Sequence, residues 1–188
     1  MLEDMIIEHC SPTLAGIKTG NMFSMEVEEE KDLNVKIREL NLMLKKKGIR
    51  IIPLKRTKKR MLIYLYRPEF LKRDLKDRLA LEILRSRGYT FTNPECCIAQ
   101  LVRHLMCDED FPHEIGLFLG YPPSDVEGFI NDPCKGVKCC GCWKAYSDPE
   151  KAKCVFDKFN NCREVYRRMI RNGKSLEQLA VDTERCAG

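Results

Sequence analysis

Four cysteines crowd the stretch Cys134-Lys135-Gly136-Val137-Lys138-Cys139-Cys140-Gly141-Cys142, and clustered thiols are where a chain can hold metal or exchange electrons. Cys134, Cys139 and Cys142 have the C-x4-C-x2-C spacing that wraps a plant-type iron–sulfur cluster, with Cys154, Cys162 or Cys186 open as the fourth thiolate. The glycines let backbone fold tightly around sulfur, and the lysines offset thiolate charge. Two close pairs of the same thiolates could instead hold zinc tetrahedrally, at roughly 2.3 Å per sulfur. The expected metal set is therefore Cys134, Cys139, Cys142 and Cys154, with zinc or an iron–sulfur cluster as the cofactor. The competing reading is a loop of free thiols, and Cys162 falls on an apolar helix face where packing accounts for it.

A second constellation joins Cys10, His113 and Glu114 as nucleophile, base and orienting carboxylate. Cys10 precedes Pro12, so a helix opened by Pro12 would put the thiol at the positive end of the helix dipole, where a thiolate is stabilised. The alternative packs His9 and Cys10 under a sheet and sets His113 in the first turn of a helix. Cys97, His104 and Cys107 share one predicted helix, but Cys97 and His104 are two turns apart, and His104 reads as a satisfied surface histidine. The chain has no Walker loop, no G-x-G-x-x-G opening a helix, no H-E-x-x-H and no G-x-S-x-G elbow, so nucleotide binding and the familiar hydrolase designs receive no support.

The elements that must position these groups follow from periodicity. Leu33, Ile37, Leu40 and Leu44 recur at helical spacing, and Gly48 after Lys45-Lys46-Lys47 marks the stop of a helix over about 31–47. Ile49 to Leu54 and Met61 to Tyr66 predict a hairpin with the basic Lys55-Arg56-Thr57-Lys58-Lys59-Arg60 between its strands. Pro53 predicts that the first of these is an edge strand, and 16–25 supplies a further strand. Pro68 opens a long helix through Leu71, Leu75, Leu79 and Ile83 to Gly88, and Asn93-Pro94 starts another through Ile98, Leu101, Val102 and Leu105. Asp148-Pro149 begins a helix stopped by Gly173, and Ser175 with Gln178 has capping-box spacing for a short terminal one.

Ile115, Gly116, Leu119, Gly120, Val126 and Phe129 have the spacing of two short helices meeting at a turn, with Ser124 and Glu127 capping the second. Asp125, Glu127 and Asp132 on that second helix would repel phosphate, so this reads as a structural corner and not a DNA-binding helix-turn-helix. Charge is concentrated elsewhere. Lys45 to Arg78 carries fourteen basic side chains against Glu69, Asp74 and Asp77, a balance of +11, which leaves −6 for the rest of a chain whose formal charge is +5. This basic region predicts an acidic protein partner such as a flavodoxin or ferredoxin. Nucleic acid is the weaker alternative, with Tyr64 and Tyr66 available to stack on bases.

Three segments carry a resemblance: His9-Cys10-Ser11-Pro12-Thr13-Leu14-Ala15-Gly16-Ile17-Lys18, then Phe111-Pro112-His113-Glu114-Ile115-Gly116-Leu117-Phe118-Leu119-Gly120-Tyr121-Pro122-Pro123, and Trp143-Lys144 with the downstream helix ending Gly173-Lys174-Ser175-Leu176. Together they resemble an uncharacterised bacterial family, mostly of anaerobes, known as the domain of unknown function numbered thirty-seven ninety-three. The resemblance spans nearly the whole chain and implies no assigned activity. Cys139 matches the family pattern, whereas Cys140 and Cys142 depart from it.

Composition sets the frame. With 188 residues, 44% hydrophobic and 32% charged, the chain is long enough for one substantial core, and a single domain over 1–188 with a Cys/Gly-rich loop at 132–142 is expected. Eleven cysteines, an odd number, with an acidic start at Met1-Leu2-Glu3-Asp4 and no export signal predict reduced thiols in the cytoplasm. No apolar run approaches the roughly 20 residues needed to span a bilayer. The expected fold is α+β, a small and mostly antiparallel sheet with helices packed around it. The expected role is a thiol- or metal-based redox-accessory or binding protein, with a thiol enzyme and a nucleic-acid-binding module as alternatives.

Overall fold

The computed structural model describes residues 2–27, 30–90, 93–107 and 111–183, with residues 30 and 31 described by their backbone alone. It is an α+β structure whose backbone packing separates two compact units, one formed by residues 1–69 and 161–188 and the other by 70–160.

The first unit holds the sheet. Helix α1 (Leu2–Leu14) buries Leu2, Ile6, Ile7, Cys10 and Leu14, and α2 (Glu30–Lys45) buries Leu33, Ile37, Leu40 and Leu44 at the predicted spacing. Strands β1 (Gly20–Glu26), β2 (Arg50–Arg56) and β3 (Arg60–Tyr66) pair antiparallel in the order β1-β3-β2. Pro53 therefore lies on an edge strand as predicted, where its missing N–H costs no ladder bond, and the register shifts between Pro53 and Lys55. Met61, Ile63 and Leu65 of β3 join the core with Phe23, Met25 and Ile51, while Tyr64 and Tyr66 alternate onto the opposite face, also buried and stacked with ring centroids 4.7 Å apart. The end of α8 (Pro149–Arg171) and the short α9 (Leu176–Leu179) close this core through Tyr166, Leu176 and Leu179. Ser175 and Gln178 form the predicted capping box.

The second unit is mostly helical. The long helix expected from Pro68 to Gly88 is two: α3 (Pro68–Asp74) and α4 (Arg78–Ser86). Asp77 breaks the run because its carboxylate accepts from the Ala80 N–H at 3.1 Å, an N-cap that outcompetes continuation through Leu75. Helix α5 (Pro94–Cys107) starts on the Asn93 side chain as predicted. The corner is α6 (Ile115–Phe118) and α7 (Pro123–Asn131), and Pro122, not Ser124, stands at the N-cap of α7. A two-stranded ribbon follows, β4 (Cys139–Cys140) with β5 (Lys144–Ala145), packed on the start of α8 through Ala145, Ala152 and Phe156.

Candidate functional site

Three clusters of polar side chains emerge from this frame, and one of them borders a cavity. In the first unit Arg67, directly after β3, is wholly buried and donates to the carbonyls of Thr13 and Leu14 at the end of α1, of Lys47 past α2, and of Val181 in the terminal segment, at 2.7 to 3.3 Å. Those of Thr13 and Leu14 are carbonyls of the kind a helix end leaves without intrahelical partners, and the guanidinium fork reaches them together with the other two. The first resembling segment is thus a folded corner around Arg67, tightened by Ser11 donating to the Ile7 carbonyl and Thr13 to Asn21.

Cys10 belongs to that corner. It lies inside α1 toward the C-terminal end, so the helix dipole it meets has the sign opposite to the one expected from a helix opening at Pro12. Its side chain is fully buried in the first unit's core, and that burial, only partly offset by Lys18, pushes the thiol well above the usual cysteine range. His9 beside it stacks on Phe23 at 5.7 Å.

In the second unit Glu114 is buried and hydrogen-bonds the Tyr89 hydroxyl at 3.1 Å and His104 Nδ1 at 3.0 Å. The carboxylate therefore orients His104 and not His113, because Glu114 turns inward where the next residues bury α6. His104, expected to be a satisfied surface histidine, is satisfied by a carboxylate and packs edge-on against Tyr89 at 4.8 Å. His113 stays exposed, its ring edge-on to Phe129 at 5.0 Å.

The thiols do not gather. Among the described residues no group of three His, Cys, Asp or Glu side chains is placed to hold a metal ion, so Cys134, Cys139, Cys142 and Cys154 do not fit zinc or a cluster in this arrangement; Cys186 lies outside the described residues. The physical reason is the β4–β5 ribbon. Alternation along it separates Cys139, which packs with Cys142 and Trp143 against Ala145, Ala152 and Phe156, from the exposed Cys140, while Cys134 is exposed on the loop before it. Tyr64 and Tyr66 are likewise buried, so the base-stacking expected of them is closed.

What does form a site is an aromatic cavity of about 330 Å³ in the second unit. Its walls come from Phe111 and His113 before α6, Ile115 and Gly116 within it, Tyr121 in the corner turn, Val126 and Phe129 on α7, and Trp143 and Lys144 on the ribbon. Gly116 is required by this packing, since a Cβ there would lie 2.8 Å from Val126 Cγ2 and 3.2 Å from the Tyr121 ring. Tyr121 stacks on Trp143 at 4.9 Å and donates its hydroxyl to the Cys142 carbonyl at 3.1 Å; burial, with the Cys142 thiol nearby, pushes that phenol up to about 12. Trp143 in turn stands edge-on to Phe156 at 4.5 Å.

Asp125 anchors the wall from behind. One carboxylate oxygen accepts from Trp143 Nε1 at 2.8 Å, and the other from the backbone N–H groups of Tyr146 and Ser147 and the Ser147 hydroxyl at 2.7 to 2.9 Å. Burial would raise this carboxyl, and the hydrogen bonds more than reverse it, holding it below the usual carboxylate value. Sequence reasoning missed this role, reading Asp125 only as a repulsive charge; the missed signal was the supply of aromatics at Phe111, Tyr121, Phe129 and Trp143 within one run of chain.

A family model matches residues 6–180 under the description Protein of unknown function (DUF3793). The chain belongs to this family. Two of the three segments through which the chain resembles DUF3793 proteins, the one from Phe111 to Pro123 and the one at Trp143-Lys144, meet at the cavity. No curated protein and no solved structure matches the chain.

Proposed function

We propose that this DUF3793 protein is a binding protein whose ligand is a small, flat, largely apolar molecule held in the aromatic cavity of the second unit. The observation that carries the reading is the cavity itself: about 330 Å³, within the range of roughly 300–1,000 Å³ common to ligand pockets, walled by Tyr121, Phe129 and Trp143. Preformed walls lower the cost of binding, because Asp125 locks Trp143 and the Cys142 carbonyl locks Tyr121 before a ligand arrives. Both oxygens of Asp125 are engaged by donors of the protein, so the carboxylate supports the wall and is not poised as a base. Holding, and not transforming, is what the arrangement favours.

Trp143 is the sole tryptophan of the chain, which makes the wall its own reporter. Titration with naphthalene-1-methanol is expected to change Trp143 fluorescence along a saturating curve. Phe129→Ala is expected to weaken that binding about tenfold, the scale of one lost aromatic contact. A linear response without saturation, or a saturating one indifferent to Phe129→Ala, overturns the reading.

A further inference from the structure

We infer that the ligand of this cavity carries an anionic group, a carboxylate or its equivalent, beside an aromatic ring; the inference rests on the binding reading above and specifies its ligand. The argument is one of charge. Among the described residues Asp125 is the only carboxylate on the lining, and its two oxygens are taken up by Trp143, Tyr146 and Ser147, so its acceptor capacity points away from a guest.

Among the described residues the polar groups left to meet a ligand are Lys144 and His113, both flanking Phe129. The Lys144 ammonium has three donors, of which the Pro133 carbonyl takes one at 2.8 Å. It sits 5.6 Å from the centroid of the Phe129 ring, the place a ligand cation would seek on an aromatic wall. A cationic guest would therefore meet an occupied face and a like charge. His113, exposed at the rim, adds an imidazole N–H. An apolar floor with donors at its edge is complementary to a flat ring whose acidic substituent projects toward solvent, where the Lys144 ammonium can meet it in a charge-assisted hydrogen bond.

Three probes on one ring system test this with the full chain: naphthalene-1-carboxylate, naphthalene-1-methanol and 1-naphthylmethylammonium, each followed by Trp143 fluorescence. The carboxylate is expected to bind about tenfold tighter than the alcohol, the scale of one charge-assisted hydrogen bond, and the ammonium weakest. In Lys144→Met the ratio of the carboxylate's affinity to the alcohol's is expected to fall from about ten to about one, a ratio in which any change of the wall common to both probes cancels. Should that variant lose the alcohol too, raising salt on the unaltered protein gives the same readout, because an exposed-edge ion pair is screened and the tenfold ratio must shrink. Equal affinities for all three probes, or the ammonium tightest, overturn the anion while leaving the cavity reading standing. No saturable binding by any of them overturns both.

Discussion

Arg67 and Cys10 define the residue scale, because each is a reactive-looking group that the fold uses for packing. A buried guanidinium is tolerated only when its donors are matched, and here the matches are carbonyls at the ends of α1 and α2 and in the terminal segment. Arg67→Met is expected to cost about 3 kcal/mol, since it removes several hydrogen bonds from one buried charged donor at once. Arg67→Lys is expected to recover only part, because a single ammonium cannot bridge carbonyls spread across a fork. Urea denaturation of the three proteins checks this, and equal midpoints would show that the carbonyls find other donors. The burial of Cys10 was legible as the alternative that packs it under a sheet, but its place inside a helix was not, since a Ser-Pro-Thr sequence after it reads as a helix start when nothing shows that the preceding turn is already helical.

Elements decide where the loop cysteines point. The stretch from Asp132 to Cys142 is bound at several places: Asp132 accepts from the N–H groups of Cys134 and Lys135, Lys144 reaches the Pro133 carbonyl, and Lys138 reaches that of Ser147. The ribbon then presses on α8 so closely that a Cβ on Gly141 would stand 2.2 Å from the Phe156 ring. That ring cannot swing aside freely, for Trp143 packs against it. Gly141→Ala is expected to destabilise by about 1–3 kcal/mol, the usual cost of overpacking, and to shift Trp143 emission as the wall moves. Thermal unfolding and an emission spectrum together check it; an unchanged spectrum with unchanged stability would mean the contact relaxes without effect. Periodicity found the three strands of the sheet and most helices, yet it missed the β4–β5 ribbon, whose strands are two residues each, and overran the break at Asp77 because a single side-chain cap carries no periodic signal.

For the whole molecule the two compact units divide the labour, the first organised around a sheet and Arg67, the second around the cavity and Asp125. Among the described residues no helix is long and apolar enough to cross a membrane. Asp125 also links stability to pH. Its carboxyl is held below the ordinary value of 3.8 in the folded chain, so on acidification the unfolded chain takes up that proton first. The stabilisation is fully present above the ordinary value and is lost as pH falls through the lower folded one. Urea midpoints measured from about pH 6 down to about pH 2.5 are expected to fall more steeply below about pH 4 for the unaltered protein than for Asp125→Asn. Parallel curves would remove Asp125 as the linked group.

By itself the sequence determined the α+β class, the edge position of Pro53, the capping box at Ser175, and the family, because each depends on local periodicity, backbone chemistry or a run of matched residues. Only tertiary structure decided which chemistry-bearing residues share space. Glu114 turned to His104, Cys10 sank into the core, the loop thiols parted across a ribbon, and Asp125 reached Trp143 eighteen residues away. Spacing along a chain limits which side chains can meet, but burial and packing choose among those meetings, and the aromatic cavity is a product of that choice.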